Sequence, residues 1–223
     1  MRSSACCGFE ALSEALIGVR VIGRGEHIKS VMPMRKSQQL AGLCAPFIGL
    51  GGIFTAIFIH RSWWSLTENA ISDLGKVGLP YNWVMNVPIV VAAVLGIYYA
   101  LGLFKEAKHP TIKLGIGIFI LGLVFLAGIG IFPEGTSPHY YVSWGFFITA
   151  SLGIMVAGIG LYLEGEKQLG IITVIIFVLS WIFGFWAMRV FNGVAISEFI
   201  GIFGIVIWHY MVLAKILKKG KKA

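Results

Sequence analysis

The sequence predicts an all-α polytopic membrane protein, a bundle of six transmembrane helices with both termini cytoplasmic. Three observations carry this. Of 223 residues, 57% are hydrophobic and only 13% are charged, about half the usual quarter for a soluble domain. The apolar residues gather into six runs, each near the roughly 20 residues a helix needs to cross hydrocarbon. The basic residues between the runs are sorted. Fifteen of eighteen fall on one side of a six-crossing chain, and only Arg61, Lys76 and Arg189 fall on the other. The positive-inside rule makes the lysine-rich side cytoplasmic and places the chain in a cell membrane.

Residues 1–33 stand apart. They are charged, hold Cys6 and Cys7, and lack a long apolar run. They are expected to form a poorly ordered or weakly helical leader, with Met32 or Met34 as the native start. The membrane domain then covers 34–217. Its helices are expected at 40–60, 83–104, 112–132, 139–163, 168–189 and 195–217. Charged side chains enter these spans only near their ends, as Lys113, Arg189, Glu198 and Lys215. Pro46 and Pro88 lie inside the first two, where neighbours must satisfy the carbonyls that proline frees. Glycines recur at packing spacings, Gly115, Gly117, Gly122, Gly128 and Gly130 in the third and Gly153, Gly158 and Gly160 in the fourth. Small residues let helix backbones approach closely in lipid. Residues 218–223 are a basic tail suited to an anionic membrane surface.

The same features exclude several classes. The basic excess sits between helices with no recognition motif, so nucleic acid is not an expected partner; membrane lipids are. Three scattered cysteines form no disulfide framework and no zinc pair. Cys44 reads as a small buried apolar residue. The sequence leaves any cofactor unknown and disfavours haem. Haem held between two histidines needs them at matched depth, whereas His139 and His209 fall toward opposite membrane faces.

The candidate chemistry collects on the outer side. Its loops hold Glu68-Asn-Ala-Ile-Ser-Asp-Leu-Gly75, Phe132-Pro-Glu-Gly-Thr-Ser-Pro-His139, and a short link near Asn192. A short helix over 67–74, capped by Thr67, would pair Asn69 with Asp73 at i,i+4. His139 and Ser143 share one helix face by the same spacing. Glu198 lies at the membrane boundary, where an ionisable group is costly unless paired or wetted; Arg189 is its nearest cation in sequence. Asp73, Glu134, His139 and Glu198 are therefore the candidate catalytic or ionisable residues. Asn69, Ser72, Asn86, Ser143 and Arg189 are the candidate binding residues. Asp73, Glu134 and His139 are the candidate ligands for a divalent metal.

At these residues a family resemblance appears. Ala70-Ile-Ser-Asp-Leu-Gly75, Tyr81-Asn-Trp83, Asn86, Gly130-Ile-Phe-Pro-Glu-Gly-Thr-Ser-Pro-His139 and the late Glu198 with Trp208 resemble a membrane family of archaea and bacteria known as domain of unknown function 998. The resemblance covers about 36–217 and implies six helices, with no activity attached. One departure is that Phe199 follows Glu198 where the family pattern often has arginine.

Three functional readings stay open. The first is a binding or transport protein for a small solute or lipid headgroup. The second is a membrane-embedded hydrolase of lipid headgroups, possible with His139, Ser143 and a carboxylate or metal, but without a nucleophile elbow or zinc motif. The third is a polar network that only closes the bundle.

Overall fold

Helix boundaries fall where an apolar run meets proline, glycine or charge. The computed structural model describes residues 34–220, so the expected leader and start site lie outside the described residues. The helices are α1 (Lys36–His60), α2 (Trp83–Glu106), α3 (Pro110–Ile131), α4 (His139–Leu163), α5 (Lys167–Val190) and α6 (Ala195–Gly220). A single 3-10 turn, Ser72–Gly75, interrupts the α1–α2 loop. All six helices are long and apolar enough to cross a membrane. The backbone logic is general, because hydrocarbon offers no hydrogen bonds and only a helix or closed barrel satisfies its own peptides there.

Local sequence sets the ends. α3 starts at Pro110, whose missing N–H is no loss in a first turn, and His109 Nδ1 accepts from the Thr111 amide at 3.2 Å. α1 begins earlier than its apolar run because Gln38 Nε2 donates to the Tyr98 carbonyl at 3.1 Å. Pro46 and Pro88 both sit inside continuous helices. Pro46 deprives the Gly42 carbonyl of its helical donor, and His209 Nε2 donates to that carbonyl from α6 at 2.6 Å. Pro88 instead packs on Gly52, where a methyl would stand 2.5 Å from the ring.

Consecutive helices pack on one another, and the α3–α4 seam is the most extensive. Glycine makes it so. A methyl on Gly153 would stand 2.5 Å from the Phe119 amide nitrogen, and one on Gly122 would stand 2.7 Å from that of Ala150. α6 packs on α5 and also touches α1 and α4. Helices α1 to α4 and α6 thus surround a central space, while α5 lies outside it. Only Gly170, Thr173 and Ala187 of α5 are buried, and its exposed Ile175, Phe183 and Trp186 suit a lipid environment. At one end, Lys215 of α6 pairs with Glu166 of the α4–α5 loop, and the Met34 amide bonds to Glu106 at the end of α2. This tail end holds the start of α1 and the finish of α6. The opposite, site end holds loops 61–82, 132–138 and 191–194.

Candidate functional site

The loop 61–82 folds inward as a lid. Ile71 and Leu74 are almost fully buried, among Ile53, Ala56, Met85 and Ile89 of the first two helices. The expected helix over 67–74 does not form. Ser65, Asn69 and Asp73 spend their short polar side chains on nearby backbone, which competes with helix formation. The Ser65 amide donates to Asn69 Oδ1 at 2.9 Å, and the Ala70 amide donates to Asp73 Oδ2 at 2.8 Å. Asn69 and Asp73 still meet, at 3.3 Å, but across this turn. The Trp64 indole N–H donates to the Ala70 carbonyl at 2.8 Å and fixes the chain above Ile71.

The other two loops clamp this lid. The Gly193 amide donates to the Thr67 carbonyl at 2.7 Å, and the Ala195 amide donates to the Asn69 carbonyl at 2.9 Å. Gly193 has to be glycine for this approach, since a β-carbon would overlap the Asn69 backbone. Asn192 donates to Glu68 at 2.9 Å. From the other side, the Val77 amide donates to the Glu134 carbonyl at 2.9 Å. Asn86, buried in the first turns of α2, donates to the Gly75 carbonyl at 2.8 Å. Asn86 therefore holds the lid to α2.

Glu198 stands one turn into α6, below the lid. Its Oε2 accepts the Ile71 amide at 2.6 Å. Its Oε1 has no hydrogen-bond partner among the described residues. Asp73 and Glu134 lie within electrostatic reach of this carboxylate. Arg189, its expected partner, is exposed at the end of α5 and forms no ion pair among the described residues. The lid amide has taken the role foreseen for the cation.

A second polar chain descends from the surface. Glu134 Oε2 and Ser143 Oγ both lie 3.2 Å from His139 Nε2, and His139 Nδ1 donates to the Phe132 carbonyl at 2.8 Å. The Glu134 side chain is 36% exposed, whereas that of His139 is 7% exposed. The chain thus runs from water at Glu134 to Ser143, inside the bundle. Its order differs from that of a nucleophilic triad, in which the acid holds Nδ1 and leaves Nε2 to the serine. Here serine and acid share one nitrogen, and a backbone carbonyl holds the other. Asp73 lies outside this pair. Among the described residues, no three His, Cys, Asp or Glu side chains form a metal-holding group.

Below the lid lies a chamber of about 130 Å³. Glu198, Ser72 and Ser143 line it toward the site end, and His209 lines it toward the tail end. Its walls are otherwise apolar, with Ile53, Ile89, Leu123, Phe146 and Ile205 prominent. Of the sequence candidates, Ser72, Ser143 and Glu198 line the chamber, and His209, which was not among them, lines it too. The available signal was His209 itself, a lone ionisable residue midway along α6, together with Pro46, whose unmet carbonyl needs a donor.

These features define a class, a multi-pass protein of six helices with a lidded chamber inside the bundle. The chain belongs to the family described as protein of unknown function (DUF998), whose family model matches residues 43–215. That match runs from α1 into α6 and takes in every candidate site residue. No curated protein and no solved structure matches the chain.

Proposed function

We propose that the protein binds an amphiphilic small molecule, a lipid or a solute with an apolar body, in the chamber beneath the lid. The single observation behind this is Glu198. It presents a free carboxylate oxygen to a cavity walled almost wholly by hydrocarbon. An ionisable group is costly there unless a ligand or water meets it, and ligand pockets are typically apolar with a few placed polar groups. The serine–histidine–glutamate chain reaches the chamber rim at Ser143 and supports a proton-linked step in binding or transport more readily than acyl transfer, given its order around the imidazole.

Native mass spectrometry of protein extracted from its host membrane tests this reading. The wild type should carry a co-purifying molecule. Ile205→Trp, which fills the chamber, should lose it. Glu198→Gln should weaken it about tenfold, the worth of a charge-assisted hydrogen bond. A wild type that stays empty with every lipid or solute supplied would overturn the proposal.

The basic residues support placing the site end outside the cell and the tail end in the cytoplasm. In a cysteine-free background, Lys76→Cys should react with an impermeant maleimide on intact cells. Lys105→Cys should react only after lysis. The reverse pattern would invert the topology.

A further inference from the structure

We infer that the chamber's ligand is an amphiphile with a protonated amine head at Glu198 and a hydrocarbon tail lying along α6 toward His209. This rests on the chamber reading above and adds the chemistry of the head and the direction of the tail.

Charge selects the head. Glu198 offers one unpartnered oxygen among the described residues, and Asp73 and Glu134 add negative potential to the same end. Among the described residues, no lysine or arginine lines the chamber. The nearby cations are spent or lie outside. Arg61 stacks over the Phe58 ring at 4.4 Å, and Lys76 is exposed on the lid. A carboxylate or phosphate head would meet like charge in a poorly screened site, where the repulsion is strong. An ammonium would meet its complement and could donate to Glu198 Oε1 and the hydroxyls of Ser72 and Ser143.

Shape selects the tail. Glu198 and His209 are eleven residues apart on one helix, roughly 16 Å at 1.5 Å per residue. Half of a hydrocarbon core of about 30 Å is similar, so the chamber matches the reach of a tail from one leaflet. The wall between these two residues is apolar. At the far end, the His209 ring is committed to the Gly42 carbonyl through Nε2 and lies against Tyr99, ring centroids 4.6 Å apart. The floor therefore offers a tail a packed face.

Hexadecylamine, palmitic acid and hexadecanol test this on the full chain in nanodiscs of neutral lipid. Each would carry a diazirine near the tail terminus, with labelled residues mapped after irradiation. Hexadecylamine should bind at least tenfold more tightly than palmitic acid and label α6 near Val206–His209 and α1 near Ala45–Gly49. Glu198→Gln keeps an acceptor for the Ile71 amide and so the lid contact. It should weaken the amine about tenfold and leave the alcohol unchanged. Saturable binding of palmitic acid as tight as that of the amine, or tail labelling in the loop 61–82, would overturn this inference and leave the chamber reading standing. Absence of saturable labelling with all three, in a variant-free protein of normal thermal stability, would overturn both.

Discussion

Gly115→Ala should destabilise the protein by about 1–3 kcal/mol, the usual cost of overpacking a tight contact, whereas Gly117→Ala should cost nothing. The two glycines are two residues apart on α3 and chemically identical. A methyl on Gly115 would overlap the Ala157 backbone nitrogen and crowd the Gly153 carbonyl at 2.7 Å. A methyl on Gly117 would meet nothing within 4 Å. The obstacle at Gly115 is backbone, which cannot change rotamer, so α3 and α4 have to separate along the seam. At Gly117 the added methyl only lowers the conformational freedom of the unfolded chain, which favours the helix. Gly153→Ala attacks the same contact from α4, and Gly115→Ala with Gly153→Ala should cost less than their sum, because one separation serves both. Unfolding in mixed micelles, followed by tryptophan fluorescence, measures all four proteins. Equal midpoints for Gly115→Ala and Gly117→Ala would remove the glycine seam as the basis of α3–α4 packing.

That pair also marks how far the sequence could be read. The six spans are legible because a lipid environment demands long apolar helices, and few other patterns meet that demand. The glycine rows announce close packing but not its side. Gly115 and Gly117 look alike until α4 is placed against one of them. The same limit governs the site. Asp73, Glu134, His139 and Glu198 stand out in the sequence as rare ionisable groups, and Asp73 and Glu134 each lie within electrostatic reach of Glu198. Their partners were less legible. Glu198 was expected to seek Arg189, which is close in sequence, but the lid amide of Ile71 lies closer in space. A hydrogen bond between residues 127 apart follows from the tertiary path of the loop and leaves no periodic trace. The chamber is harder still. Five helices contribute to its wall, and each contributes ordinary apolar residues. A cavity is a mismatch of shapes, which hydrophobic patterning does not encode.

His209→Leu should cost about 1–3 kcal/mol through one unmet carbonyl, and Pro46→Ala should erase most of that cost. Proline at 46 has no N–H to offer the Gly42 carbonyl, so that acceptor depends on His209 Nε2, 2.6 Å away on α6. Leucine keeps much of the volume and removes the donor, stranding the carbonyl where hydrocarbon supplies no replacement. Alanine at 46 restores a backbone donor from within α1. In that background the histidine is redundant as a donor, and His209→Leu should cost only its lost packing against Tyr99, whose ring centroid lies 4.6 Å away. The double-mutant cycle should therefore show a coupling of about 1 kcal/mol or more. Equal costs of His209→Leu in both backgrounds would mean that the histidine acts through packing alone. The coupling also bears on the chamber, because Pro46 and His209 both line it. A proline that creates an unmet acceptor and a histidine that meets it fix α1 to α6 at the end opposite the lid. The chamber is then tied at its floor by His209 and at its rim by Glu198, and its depth is set by two hydrogen bonds made from one helix.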